Sequence, residues 1–163
     1  MTKKFITSDL IKKIERLTKQ RMAEQPVVSL DQFRDAQKKM NPKNILIIED
    51  DETQRLSLKR ILESAGYQPL LVADSAELTA ILDKDEEFHL IIMDIGLPWI
   101  NGFELAEMMK EHRDLKKIPL IFLSGQAEQA DFDRAREVGA ADYIKKPFDI
   151  DKLKEVIAKL LQT

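Results

Sequence analysis

Leu90-Ile91-Ile92-Met93-Asp94-Ile95-Gly96-Leu97-Pro98 decides the fold, because four apolar residues run without alternation into one carboxylate and then into Gly and Pro. Such a run, bounded by turn residues, reads as a strand buried on both faces, the interior of a parallel sheet covered by helices on each side. Asp94 then stands at the carboxyl end of its strand. Ligands bind at that edge of open α/β sheets, which favours chemistry for the carboxylate. Asp, Gly and Pro are also ordinary turn residues, and a strand-terminating turn accounts for the motif alone equally well.

Outward from this stretch, strands alternate with helices from Asn44 onward, the signature of βαβ units and a parallel sheet. The pattern predicts strands at Ile45–Ile48, Gln68–Val72, Leu90–Met93, Leu120–Leu123 and Asp142–Ile144. It predicts helices over Thr53–Ser64, Ala76–Asp83, Gly102–His112, Gln129–Val138 and Asp149–Leu161. In the last helix Ile150, Leu153, Val156, Ile157, Leu160 and Leu161 repeat at helical spacing, which reads as core. Gly66 and Gly139 fall just past helices, where a left-handed cap is wanted.

The chain has 163 residues, 44% hydrophobic and 34% charged, enough for one globular domain with a small appendage. It has no cysteine, so disulfides and thiolate metal sites are excluded. No apolar segment of signal-peptide or membrane-spanning length follows the basic start, and a cytoplasmic protein without a membrane span is expected.

Charge divides the chain in two. Residues 1–43 hold 11 Lys and Arg against 5 Asp and Glu, a net of +6, whereas residues 44–163 hold 15 against 24, a net of −9. A basic arm could approach nucleic acid, an anionic membrane or the acidic domain, or it could be a solvated helix face, since its cations are scattered between acids. Ser8 or Asp9 can cap a first helix carrying Leu10, Ile11, Ile14, Leu17 and Met22, stopped by Pro26. Ser29-Leu30-Asp31-Gln32 has the form of a capping box, and Leu30, Phe33, Ala36 and Met40 follow on one face before Asn41-Pro42. Residues 1–43 are therefore expected to form a helical hairpin. Its narrow apolar stripes should find burial on the main domain or on another chain.

Three further strand ends carry chemistry. The first strand runs into Glu49-Asp50-Asp51-Glu52, four acids at the same sheet edge as Asp94. Their mutual repulsion is strong, and helix capping explains one or two of them. A hard divalent cation such as Mg²⁺ would relieve the rest. The fourth strand ends in Ser124-Gly125 and the fifth in Lys145-Lys146-Pro147-Phe148, so a hydroxyl and an ammonium that can bind phosphoryl oxygens complete the edge. Lys146, preceding proline, is held extended at the strand end.

With these motifs in order, residues 44–163 closely resemble the receiver domain of bacterial two-component response regulators. The resemblance rests on Ile45-Leu46-Ile47-Ile48-Glu49-Asp50-Asp51-Glu52, on Met93 through Gly102, on Ile118-Pro119-Leu120-Ile121-Phe122-Leu123-Ser124-Gly125, and on Gly139 through Phe148. It implies a flavodoxin-like, doubly wound, five-stranded parallel sheet of order 2-1-3-4-5 with five helices, preceded here by the helical extension.

By position, Asp94 resembles the phosphoacceptor, Glu49 and Asp50 the metal-binding pair, and Gly96 the residue whose carbonyl oxygen binds the metal. Asp51 is left as a cap. Ser124 matches the switch hydroxyl, Lys146 the phosphoryl-binding lysine and Tyr143 the aromatic switch, while Gly96 and Gln126 flank the site and can govern water access. The family pattern also implies a cis Lys146–Pro147 peptide, with Mg²⁺ as cofactor and Mn²⁺ able to substitute. Departures are few: Gly125 stands where alanine is more usual, and Lys145 adds a second positive charge.

The implied reaction is attack of the Asp94 carboxylate on phosphorus, the donor being a phosphohistidine on a sensor histidine kinase or histidine phosphotransfer protein. His89 and His112 read as a strand start and a helix end, not as phosphoacceptors. No output domain of recognisable pattern follows the receiver, so a downstream protein is expected at its helix 4–strand 5–helix 5 face, or output through residues 1–43, with a homodimer as one form of it. Two other classes compete: a nucleic-acid-binding effector using the basic arm, which the scattered charges disfavour, and a metal-dependent phosphatase. The latter usually carries a second acid two residues after its nucleophile, where this chain has Gly96.

Overall fold

The computed structural model describes residues 10–17, 19–20, 29–125 and 128–162. The chain divides into two compact units, Met1–Gln37 and Lys38–Thr163. Residues 10–17 are helical and form α1, and α2 spans Leu30–Met40. Ser29 starts α2 by a reciprocal capping box: Gln32 N donates to Ser29 Oγ and Ser29 N to Gln32 Oε1, each at 3.2 Å. Leu10, Ile14, Leu17, Leu30 and Phe33 are all more than half exposed. The turn of the expected hairpin falls within residues 21–28, outside the described residues.

In the second unit β1 (Asn44–Ile48), α3 (Glu52–Ser64), β2 (Gln68–Val72), α4 (Ser75–Asp83) and β3 (Leu90–Asp94) are followed by α5 (Gly102–Glu111), β4 (Leu120–Ser124), α6 (Gln129–Glu137), β5 (Asp142–Lys145) and α7 (Ile150–Leu161). All strand pairs are parallel, in the order β2-β1-β3-β4-β5, which is the expected doubly wound, flavodoxin-like sheet. Gly66 and Gly139, just beyond α3 and α6, take φ of +86° and +79°, a left-handed conformation that costs a residue with Cβ.

The apolar runs are buried on both faces, as continuous hydrophobicity requires. Leu46, Ile48, Ile91, Met93, Leu120 and Phe122 point to one face and pack with Leu78 of α4, Phe103, Ala106 and Met109 of α5 and Ala135 of α6. Ile45, Ile47, Ile92, Ile121 and Leu123 point to the other, with Leu58 and Leu62 of α3 and Leu153, Ile157 and Leu161 of α7. Burying such side chains at about 25 cal/mol per Å² of apolar surface is what holds the sheet between its two helical layers.

Three strands run one residue further than the apolar pattern predicts. The ladder continues through Asp94, Ser124 and Lys145, pairing Asp94 with Leu123 and Ser124 with Lys145. Backbone pairing is indifferent to side-chain polarity, so the functional side chains project from the last rungs of a rigid sheet.

Candidate functional site

Each site residue is placed by its own strand end. Glu49 follows β1 and donates its N–H to the Val72 carbonyl at 3.1 Å, so it continues the ladder and is buried, only 2% exposed. Asp50 and Asp51 then turn the chain into α3. Asp51 is the N-cap, its Oδ1 accepting from Gln54 N at 2.8 Å, as expected of a residue left over for capping. The Arg55 guanidinium donates to the carbonyl oxygens of both Glu49 and Asp50, each at 3.0 Å, and so pins the acidic turn from below.

One carboxylate oxygen from each of Glu49, Asp50 and Asp94 lies within 4.8 Å of the others. Lys146 closes the group: its Nζ donates to Glu49 Oε2 at 2.7 Å and stands 3.7 Å from Asp94 Oδ1. Gln54 Oε1 accepts from the same ammonium. Burial raises the pKa of Glu49, with the Asp94 charge acting in the same direction and the Lys146 hydrogen bond against it. Three carboxylates against one ammonium leave two negative charges, the complement of one divalent cation. The oxygen-only donor set and its partial burial fit Mg²⁺.

Ser124 is buried at the end of β4, and the Lys146 N–H donates to its carbonyl oxygen at 2.8 Å. Its side chain is hydrogen-bonded to the Tyr143 phenol, whose pKa is raised by burial. The Tyr143 ring packs 4.7 Å from Phe132 and 6.3 Å from Phe122, centroid to centroid, between α6 and the sheet. The Lys146–Pro147 peptide is cis. A cleft over this edge is lined by Gln54, Asp94, Gly96, Ser124, Gly125 and Lys146, so the loop after β3 and the ends of β3, β4 and β5 meet in one open space.

Glu49, Asp50, Asp94, Gly96, Ser124 and Lys146 are thus brought together, with Tyr143 joined through Ser124. Gln126 lies outside the described residues. Lys145 is exposed, and by strand alternation it faces away from Lys146. Neither histidine is near: His89 Nδ1 accepts from Asn44 N at 3.0 Å at the opposite end of the sheet, and His112 caps the C-terminus of α5. Sequence reasoning missed Gln54 and Arg55. Both lie in the first turns of α3, where a polar residue reads as solvated helix surface; only the spacing Asp51-x-x-Gln54 marks one of them.

A parallel sheet of this order with an acidic pocket, a lysine and a hydroxyl at its carboxyl edge defines a phosphoacceptor signalling domain. The chain belongs to the response regulator receiver domain family, whose model matches residues 45–158. It is 41% identical over 110 residues to the aerobic respiration control protein ArcA of Escherichia coli K12, a match covering 68% of this chain and 44% of that protein. The chain therefore spans under half the length of that relative. Against the polar-differentiation response regulator DivK of Brucella anthropi it is 31% identical over 120 residues, 74% of this chain and 97% of the relative. The receiver domain of sensor histidine kinase PA1611 from Pseudomonas aeruginosa, solved with a magnesium ion coordinated in its active-site cleft, superposes with a TM-score of 0.66 at 25% identity, covering 75% of this chain and 99% of that one. The matched region is accordingly a receiver of two-component signalling, a signalling domain rather than a classical enzyme, of a family that pairs with histidine kinases. Among the described residues no helix is long and apolar enough to cross a membrane.

Proposed function

We propose that Asp94 accepts a phosphoryl group from a phosphohistidine on a sensor histidine kinase or histidine phosphotransfer protein in the cytoplasm. The observation that carries this reading is the convergence of the Glu49, Asp50 and Asp94 carboxylates within 4.8 Å, with the Lys146 ammonium 3.7 Å from Asp94 Oδ1. A carboxylate oxygen of Asp94 attacks phosphorus, a P–O bond forms, the P–N bond to the imidazole breaks, and its electron pair stays on the donor histidine.

Glu49, Asp50, Asp94 and the Gly96 carbonyl would hold Mg²⁺, or Mn²⁺ in its place, and the bound metal supplies charge neutralisation for the phosphoryl oxygens. Lys146 stabilises the negative charge on those oxygens from the other side. Ser124 lies where its hydroxyl can turn to the same group. Doing so gives up its bond to Tyr143, and the ring is then free to rotate from its present packing against Phe122 and Phe132. This is a population shift of the α6–β5–α7 face, where a downstream protein reads the state. Gly96 and Gln126 are assigned to water access and so to the lifetime of the phosphoryl group.

Residues 1–43 are read as a helical module whose apolar stripes dock on a receiver surface or pair with a second copy, regulating oligomerisation or partner access. Intact-mass measurement after incubation with acetyl phosphate and Mg²⁺ tests the central claim. One phosphoryl group on the native chain and none on Asp94→Asn is expected; equal labelling of both would refute it.

A further inference from the structure

Asp51-Glu52-Thr53-Gln54 has the form of a capping box, in which the Gln three residues after the N-cap normally turns its side chain back to the N-cap N–H. Here only half the box closes. Asp51 Oδ1 accepts from Gln54 N at 2.8 Å, but Asp51 N donates to the Glu49 carboxylate at 3.1 Å instead of to Gln54. Released from capping, the Gln54 side chain reaches across the cleft, and its Oε1 accepts from Lys146 Nζ.

An ammonium has three N–H groups. Glu49 Oε2 takes one at 2.7 Å and Gln54 takes another, so the third is left for the side of Asp94, whose Oδ1 is 3.7 Å away. With two protons anchored on opposite partners, the flexible lysine stem is held beside the phosphoacceptor before any phosphoryl group arrives. The choice of amide is also electrostatic. A neutral acceptor leaves the two surplus negative charges of the pocket matched to one divalent cation, whereas a carboxylate at position 54 would add a third.

We propose that Gln54 is a positioning residue for phosphoryl transfer, acting through Lys146; the proposal rests on the phosphoacceptor reading of Asp94. Gln54→Leu keeps the bulk and helix preference of the side chain and deletes only the acceptor. With saturating Mg²⁺ and acetyl phosphate, the initial rate of labelling of the full chain should fall about tenfold, the scale of a lost hydrogen bond to a charged group. The Mg²⁺ midpoint should stay within about twofold, since no carboxylate has been removed. Gln54→Glu restores an acceptor, so it should recover most of the rate while lowering the Mg²⁺ midpoint. Native-like labelling of Gln54→Leu, or a Gln54→Glu protein as slow as Gln54→Leu, overturns the proposal. The ¹⁵N signal of the Lys146 ammonium gives a readout free of the reaction: it should be sharp in the native chain and broadened by exchange in Gln54→Leu, and an unchanged signal overturns the contact. If the native chain takes up no phosphoryl group at all, the phosphoacceptor reading falls, and the ammonium signal alone decides whether Gln54 holds Lys146.

Discussion

Gly102 presses its backbone against Asp94, so closely that a Cβ on Gly102 would lie 2.6 Å from the Asp94 carbonyl oxygen and 2.6 Å from the Cα of Ile95. The approach closes the loop that follows the phosphoacceptor. Gly102 N donates to the Ile95 carbonyl at 2.9 Å, Gly96 pairs with Asn101 across the loop, and Asn101 Oδ1 caps α5 by accepting from Phe103 N. Gly96 differs, because a Cβ there would meet only Asp94 Oδ2, at an ordinary 3.9 Å.

These two glycines should therefore respond differently to alanine. Gly102→Ala must shift backbone on both sides of Asp94 and is expected to destabilise the fold by about 1–3 kcal/mol, the usual cost of overpacking, and to slow labelling. Gly96→Ala should unfold at the native denaturant midpoint and lengthen the phosphoryl lifetime by placing a methyl where water must approach Asp94. Urea unfolding and the decay of labelled protein check the pair; an equally destabilised Gly96→Ala would contradict it.

Asp50 and Asp51 are adjacent acids with separable roles. Asp50 belongs to the carboxylate group, whereas the Asp51 side chain caps α3. Asp50→Ala should raise the Mg²⁺ concentration needed for labelling by tenfold or more. Asp51→Ala should leave that requirement nearly unchanged and cost about 1 kcal/mol of stability, the worth of an N-cap. Metal titration and denaturation of both variants distinguish them, and equal losses of metal affinity would reverse the assignment.

Glu49 should impose a pH dependence on the metal-free protein. Its folded-state pKa is raised by burial, so between the ordinary carboxylate value near 4.5 and the raised one the folded state binds more protons than the unfolded state. Stability linked to this group is full below that interval and is lost as pH rises through it. Mg²⁺ favours the ionised form and should remove the loss. Denaturation midpoints across mildly acidic pH, native against Glu49→Gln, should show the falling component only in the native chain without metal.

Tyr143→Phe keeps the ring against Phe122 and Phe132 and deletes the bond to Ser124. A loss of about 1 kcal/mol is expected, typical of one hydrogen bond. Hydrogen exchange should show β5 and α6 less protected before phosphorylation and less changed by it. Native-like protection differences in the variant would detach Tyr143 from the switch.

The carboxylate pocket and Lys146 lie wholly in Lys38–Thr163. A protein comprising residues 44–163 should therefore be labelled at the native rate. Sedimentation should find it monomeric while the full chain self-associates through the exposed Leu10, Ile14, Leu17, Leu30 and Phe33. A monomer in both forms would leave the extension without that role.

Most of the receiver is legible in the sequence, for a physical reason. Unbroken runs such as Leu90–Met93 tolerate only burial on both faces, and that demand forces parallel strands with helices on either side. The strand ends then have nowhere to go but one edge, so Glu49, Asp50, Asp94, Ser124 and Lys146 could be gathered from their order along the chain. The form of the extension was less legible, because a short amphipathic helix states that its stripe needs a partner without stating which.

What the sequence by itself determined is thus the five parallel strands and the chemical types at their ends, since these follow from local hydrophobic runs and from the residues that close them, while the strand order came from the resemblance of the motifs to the receiver family. The tertiary structure alone decided who bonds to whom across that edge. Lys146 is separated from Glu49 by 97 residues and from Gln54 by 92, and which acceptors its ammonium takes depends on packing of β5 beside β4 and of α3 over the sheet. The same holds for the half-closed capping box at Asp51 and the pressure of Gly102 on Asp94, where distances of a few ångström, invisible to any periodicity, choose between a helix cap and a phosphoryl site.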